Sequence, residues 1–101
     1  MYNLEMGSIK ESLEKNREDV LRLSKVYGML NPRVFGSVSR GELSPNDLDI
    51  LVQAEPGRSY FDLIDYSEAL EGLLGVPVDV VTEGGLSPFL REEILNSARA
   101  L

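Results

Sequence analysis

At 101 residues, 43% hydrophobic and 27% charged, the chain is sized for one globular domain spanning 1–101. Its net charge of −7 argues against direct nucleic-acid binding through a broad basic surface. Cysteine and histidine are both missing, which removes disulfides, thiolate metal sites, the usual zinc ligand and the usual general base. Any chemistry must therefore run on carboxylates, hydroxyls, Arg or Lys, and a metal. The first residues lack a basic-then-apolar signal pattern, and no apolar run approaches the ~20 residues of a membrane span, so a cytoplasmic protein is expected.

Ser8-Ile9-Lys10-Glu11 has the form of a capping box. From it, Ile9, Leu13, Val20, Leu23, Tyr27 and Leu30 recur at helical spacing, with Asn16 interrupting the stripe and Gly28 placed as a stop. Asn31-Pro32 punctuates, and Arg33-Val34-Phe35 begins a short strand that runs into Gly36-Ser37. Residues 38–46 contain Ser, Gly, Pro and Asn and read as an exposed loop. A second strand follows, carrying Asp47 and Asp49 among Leu48, Ile50, Leu51 and Val52.

After the turn Glu55-Pro56-Gly57-Arg58, Ser59 is a good N-cap for a helix with Phe61, Leu63, Ile64, Tyr66, Leu70, Leu73 and Leu74, closed by Gly75. Its acids, Asp62, Asp65, Glu68 and Glu71, read as a solvated face. A third strand, Val76–Val81, holds Pro77 near its start and a single charge, Asp79, which must be paired, at a solvent edge, or metal-associated. Thr82–Gly85 is a loop. Ser87-Pro88 then opens a last helix with Leu90, Ile94, Ala98 and Leu101 on one stripe. The element order predicts an α/β (α+β) fold, a small three- or four-stranded sheet with flanking helices.

The chemistry concentrates in the segment from Phe35 to Val52. Asp47 and Asp49, two apart in an alternating strand, project to one face with Cα atoms roughly 6.6 Å apart. Two carboxylates so placed can share a hard cation, Mg²⁺ or Mn²⁺, whose shell nucleotide phosphates complete. Gly36 and Ser37 sit where backbone N–H groups and a hydroxyl can hold those phosphates. No Gly-Lys-Ser/Thr or second glycine-rich fingerprint supports a P-loop or Rossmann site.

Phe-Gly-Ser, nine residues, then Asp-x-Asp followed by Ile-Leu-Val resembles the nucleotidyltransferase superfamily related to DNA polymerase β, and the length resembles its smallest members, the minimal nucleotidyltransferases. The resemblance covers about residues 34–81. It implies a polymerase β-like core, ATP as donor, a third carboxylate at Asp79 joining Asp47 and Asp49 in metal binding and catalysis, and a basic loop residue, Arg40, beside Gly36 and Ser37 on the nucleotide. It further implies an antitoxin that moves AMP onto a tyrosine of a small all-helical HEPN ribonuclease toxin, in a homodimer or a hetero-oligomer. The competing reading is an antitoxin subunit that neutralises by docking alone; a third is a small-molecule nucleotidyltransferase completed in a homodimer. A glycosyltransferase does not fit the length, and a phosphatase motif fails because Leu51-Val52 stands where a hydroxyl is needed.

Overall fold

The structure, a computed structural model, describes residues 6–36 and 47–101. Their order is α1 (Met6–Lys15), α2 (Arg17–Tyr27), β1 (Met29–Phe35), β2 (Leu48–Ala54), α3 (Tyr60–Leu74), β3 (Val78–Thr82), a single 3₁₀ turn (Glu83–Gly85), α4 (Pro88–Ser97) and β4 (Arg99–Ala100). The strands lie in the order β3-β2-β1-β4. β1 runs antiparallel to both β2 and β4, while β2 and β3 are parallel and joined through α3, the crossover that parallel pairing requires. This is the expected mixed sheet with flanking helices. Among the described residues, no helix is long and apolar enough to cross a membrane.

The core follows from strand alternation. Leu48, Ile50 and Val52 of β2, with Val34 and Val78 beside them, form one buried cluster with Ile9 and Leu13 of α1, Val20 of α2, and Tyr66, Leu70 and Leu74 of α3. Three helices therefore cover one face of the sheet. α3 is well terminated: Ser59 and Asp62 form a reciprocal capping box, and Gly75, at φ +74°, donates its N–H to the Glu71 carbonyl at 2.8 Å. Two of the acids read as a solvated face have structural partners. Asp62 caps the helix, and a Glu71 carboxylate oxygen accepts the Val78 N–H at 2.9 Å, tying α3 to the start of β3.

Five boundaries differ from expectation. The first helix begins at Met6, so Ser8 lies inside it, and it breaks at Asn16 (φ −104°, ψ 17°) into α1 and α2. The Asn16 side-chain amide donates to the Ser12 carbonyl at 2.9 Å, a local bond of the kind that competes with helix continuation. β1 starts at Met29 rather than Arg33: Asn31 adopts φ +52° and the register with β2 shifts between Leu30 and Arg33, a bulge that accommodates the missing Pro32 N–H inside a strand. β3 starts at Val78, after Pro77. The last helix stops at Ser97, and the chain extends to pair Arg99 and Ala100 with Val34 and Arg33. No residue of α4 is buried, and Phe89 is 95% exposed, so the predicted stripe through Leu101 is not a core stripe.

Tyr66 is the largest fully buried side chain. Its hydroxyl faces Ser24, whose own proton goes to the Met29 carbonyl, and no hydrogen bond to Tyr66 is completed. Burial pushes its pKa up from 10.0 to about 12. Below pH 10 the residue is protonated in both folded and unfolded chains. Between pH 10 and about 12 the unfolded chain releases the proton and the folded one retains it, so stability falls as pH rises, by roughly 3 kcal/mol in all. A Tyr66→Phe variant is expected to be as stable as the parent at pH 7, since the unpaired hydroxyl goes with its proton. Denaturant unfolding from pH 9 to 12 should show a shallower loss of stability in the variant; parallel curves would contradict the assignment.

Candidate active site

On β2 the residues that alternate with the core, Asp49 and Leu51, face away from the three helices. The parallel register pairs Asp49 with Asp79, so both side chains project from the same face of neighbouring strands, whose backbones lie roughly 4.8 Å apart. On its other side Asp49 pairs with Phe35, the last residue of β1. The first turn beyond β1 begins with Gly36 at φ +74°. A methyl group at this position would collide with Asp49 Oδ2 and lie 3.2 Å from its Cγ. Glycine is thus needed twice, for the left-handed backbone and for the space the carboxylate occupies. Asp49 is half-buried there, whereas Asp79 is exposed on an edge strand and makes no ion pair among the described residues.

The structure thus brings Gly36, Asp49 and Asp79 into one row across three strand ends. Asp47 stands just outside that row. β2 begins at Leu48, and Asp47 is an exposed bend residue immediately before it, not a strand residue. The Leu48 N–H donates to the Pro77 carbonyl at 3.0 Å, which holds the entry of β2 against the entry of β3 and keeps Asp47 at the same end of the sheet. Ser37 and Arg40 lie outside the described residues.

The donor set is oxygen-only, which suits Mg²⁺ or Mn²⁺. Among the described residues no three acids converge into a ready-made cage. A cation held here would keep positions for phosphate oxygens and water, as Mg²⁺ in phosphate-bearing sites does. The row therefore fits a metal bound together with a nucleotide.

Sequence reasoning missed what lies beside this row on the same face. Arg33, paired in register with Leu51, places its guanidinium 2.6 Å from a Glu83 carboxylate oxygen, to which the Gln53 amide also donates at 3.2 Å. Arg91 of α4 donates to the Glu83 carbonyl at 2.8 Å. This cluster anchors the 3₁₀ turn and the start of α4 to the open face. The signal for it was present, since Arg33 and Phe35 alternate with the core residue Val34, but only the bulge-corrected register reveals which neighbours they meet.

Residues 9–101 match the family described as the nucleotidyltransferase domain. A Methanocaldococcus jannaschii protein named as a protein adenylyltransferase is 33% identical over 88 residues, covering 86% of this chain and 95% of that one. A solved structure described as a minimal nucleotidyltransferase superposes with a TM-score of 0.77 at 50% identity, over 90% of this chain and 92% of that one. A crystal structure of a toxin–antitoxin with AMP-PNP shares the fold, with a TM-score of 0.70 at 23% identity over 84% of this chain and 71% of that one.

Proposed function

Because the chain belongs to the nucleotidyltransferase domain family, we propose that it transfers AMP from ATP to a tyrosine hydroxyl of a partner protein, as the antitoxin of a HEPN ribonuclease toxin. The observation that carries this reading is the in-register pair of Asp49 and Asp79 beside the Gly36 turn. The protein adenylyltransferase name of the archaeal relative supports a protein acceptor, and the fold shared with a toxin–antitoxin supports the biological setting.

Asp47, Asp49 and Asp79 would hold Mg²⁺ or Mn²⁺, which neutralises triphosphate charge and acidifies the attacking hydroxyl. Gly36 would offer its backbone N–H to the phosphates, and Ser37 and Arg40 of the same motif would serve the nucleotide as the family resemblance implies. The acceptor oxygen attacks the α-phosphorus in line, forming the new P–O bond as the bond to the bridging oxygen breaks. Pyrophosphate leaves. Asp79, the exposed member of the row, receives the hydroxyl proton.

The test is label transfer in host-cell extract with Mg²⁺, comparing ATP labelled at the α- and at the γ-phosphate. A protein band labelled from α alone, and absent with Asp49→Asn, is the expected result, and alkali-stable, phosphodiesterase-sensitive label on tyrosine identifies the acceptor. Label from γ alone would overturn the chemistry. A variant that still neutralises its toxin would favour docking without transfer.

A further inference from the structure

A cleft of about 600 Å³ opens on the other side of β1 from the acidic row. Val34, whose neighbour Phe35 pairs with Asp49, forms part of its floor together with Leu13, Ala100 and Leu101. Lys10, Arg17 and Arg99 surround it, with Glu14 as the one acid, and none of Gly36, Asp47, Asp49 or Asp79 lines it. In a chain of net charge −7, three of the ten basic residues converge on this one opening.

Two of these three cations, Lys10 and Arg99, are not used in ion pairs among the described residues. Glu14 stands four residues from Lys10 and three from Arg17, spacings at which helix ion pairs form. Among the described residues neither pair is made, and Lys10 and Arg99 have no ion pair at all. Arg17 alone has a partner, donating to the main-chain oxygen of Leu101 at 2.7 Å and so holding the residue after β4 over the floor. Elsewhere Arg22, Arg33 and Arg58 are each committed to acids. Two uncommitted cations beside Arg17, around an apolar floor, suit a ligand with negative charge at one end and a flat apolar body at the other.

We propose that this cleft is a second ligand site, separate from the acidic row, for an organic phosphate of nucleotide size. The phosphates meet Lys10, Arg17 and Arg99, and the base lies on Leu13, Val34 and Leu101. The volume falls within the roughly 300–1,000 Å³ usual for small-molecule sites. Recognition here needs no divalent cation, because the protein supplies the positive charge itself. That separates it from binding at the carboxylates, which repel a metal-free triphosphate.

The experiment is calorimetric titration of ATP into the full chain in EDTA. Parent protein and Asp49→Asn are expected to bind alike, with Kd of about 1 mM or tighter. A Lys10→Glu/Arg99→Glu double variant, both positions being exposed, is expected to bind at least tenfold more weakly. A Lys15→Glu/Lys25→Glu double variant carries the same change of net charge away from the cleft and is expected to bind as the parent does. Equal weakening by the two double variants, or absence of saturable binding by the parent, would overturn the proposal. So would pyrophosphate binding as tightly as ATP, since the apolar floor would then contribute nothing. Circular dichroism of each variant confirms that a lost affinity is not a lost fold.

Discussion

An Asp49→Asn variant is expected to lose the proposed AMP transfer by about a thousandfold or more while melting within a few degrees of the parent. The change keeps the shape and removes the charge. Asp49 is the best-held of the three acids: half-buried in β2, flanked by Phe35 and Asp79 in register and backed by Gly36. Metal-assisted stabilisation of the developing charge contributes several kcal/mol, and each 1.36 kcal/mol is about tenfold in rate, which sets the expected loss. Asp79→Asn should cut the rate too, with a smaller effect on nucleotide affinity, because that acid is exposed at the sheet edge. Single-turnover transfer and ATP titration in Mg²⁺ separate the two variants. Activity of Asp49→Asn within tenfold of the parent would remove Asp49 from the chemistry.

Gly36→Ala is expected to damage both stability and activity, by about 2 kcal/mol or more in unfolding free energy. Two costs combine: a β-carbon at φ +74°, and its collision with Asp49 Oδ2. They can be parted by a double-mutant cycle. In an Asp49→Ala background the collision is gone and only the backbone cost, about 1 kcal/mol, should remain. Additive effects of the two substitutions would show that Gly36 and Asp49 are not in contact.

The row was legible in the sequence because its determinants are local. A Gly-Ser turn after a short strand and an Asp-x-Asp before an apolar run each report on a few adjacent residues. Asp79 was legible as the one charge in an apolar strand, although its register with Asp49 is a long-range fact. What escaped was set by exceptions to periodicity. Asn16 breaks a helix that the apolar stripe carries across it, and Asn31 at φ +52° lets β1 continue through a proline that reads as its boundary. The end of the chain misled for another reason. Leu90, Ile94, Ala98 and Leu101 keep helical spacing, yet α4 has no buried face, and pairing with β1 wins the last residues for a strand.

That last pairing has a consequence for how the sheet assembles. β1 finds one neighbour nearby, with Phe35 opposite Asp49, but the other only when Arg33 meets Ala100 from the far end of the sequence. Closing the longer loop costs roughly 1 kcal/mol more chain entropy than closing the shorter one. The acidic row thus rests on the shorter-range pairings of β2, whereas the basic cleft, whose wall includes Arg99 and Leu101, needs the β1–β4 pairing as well.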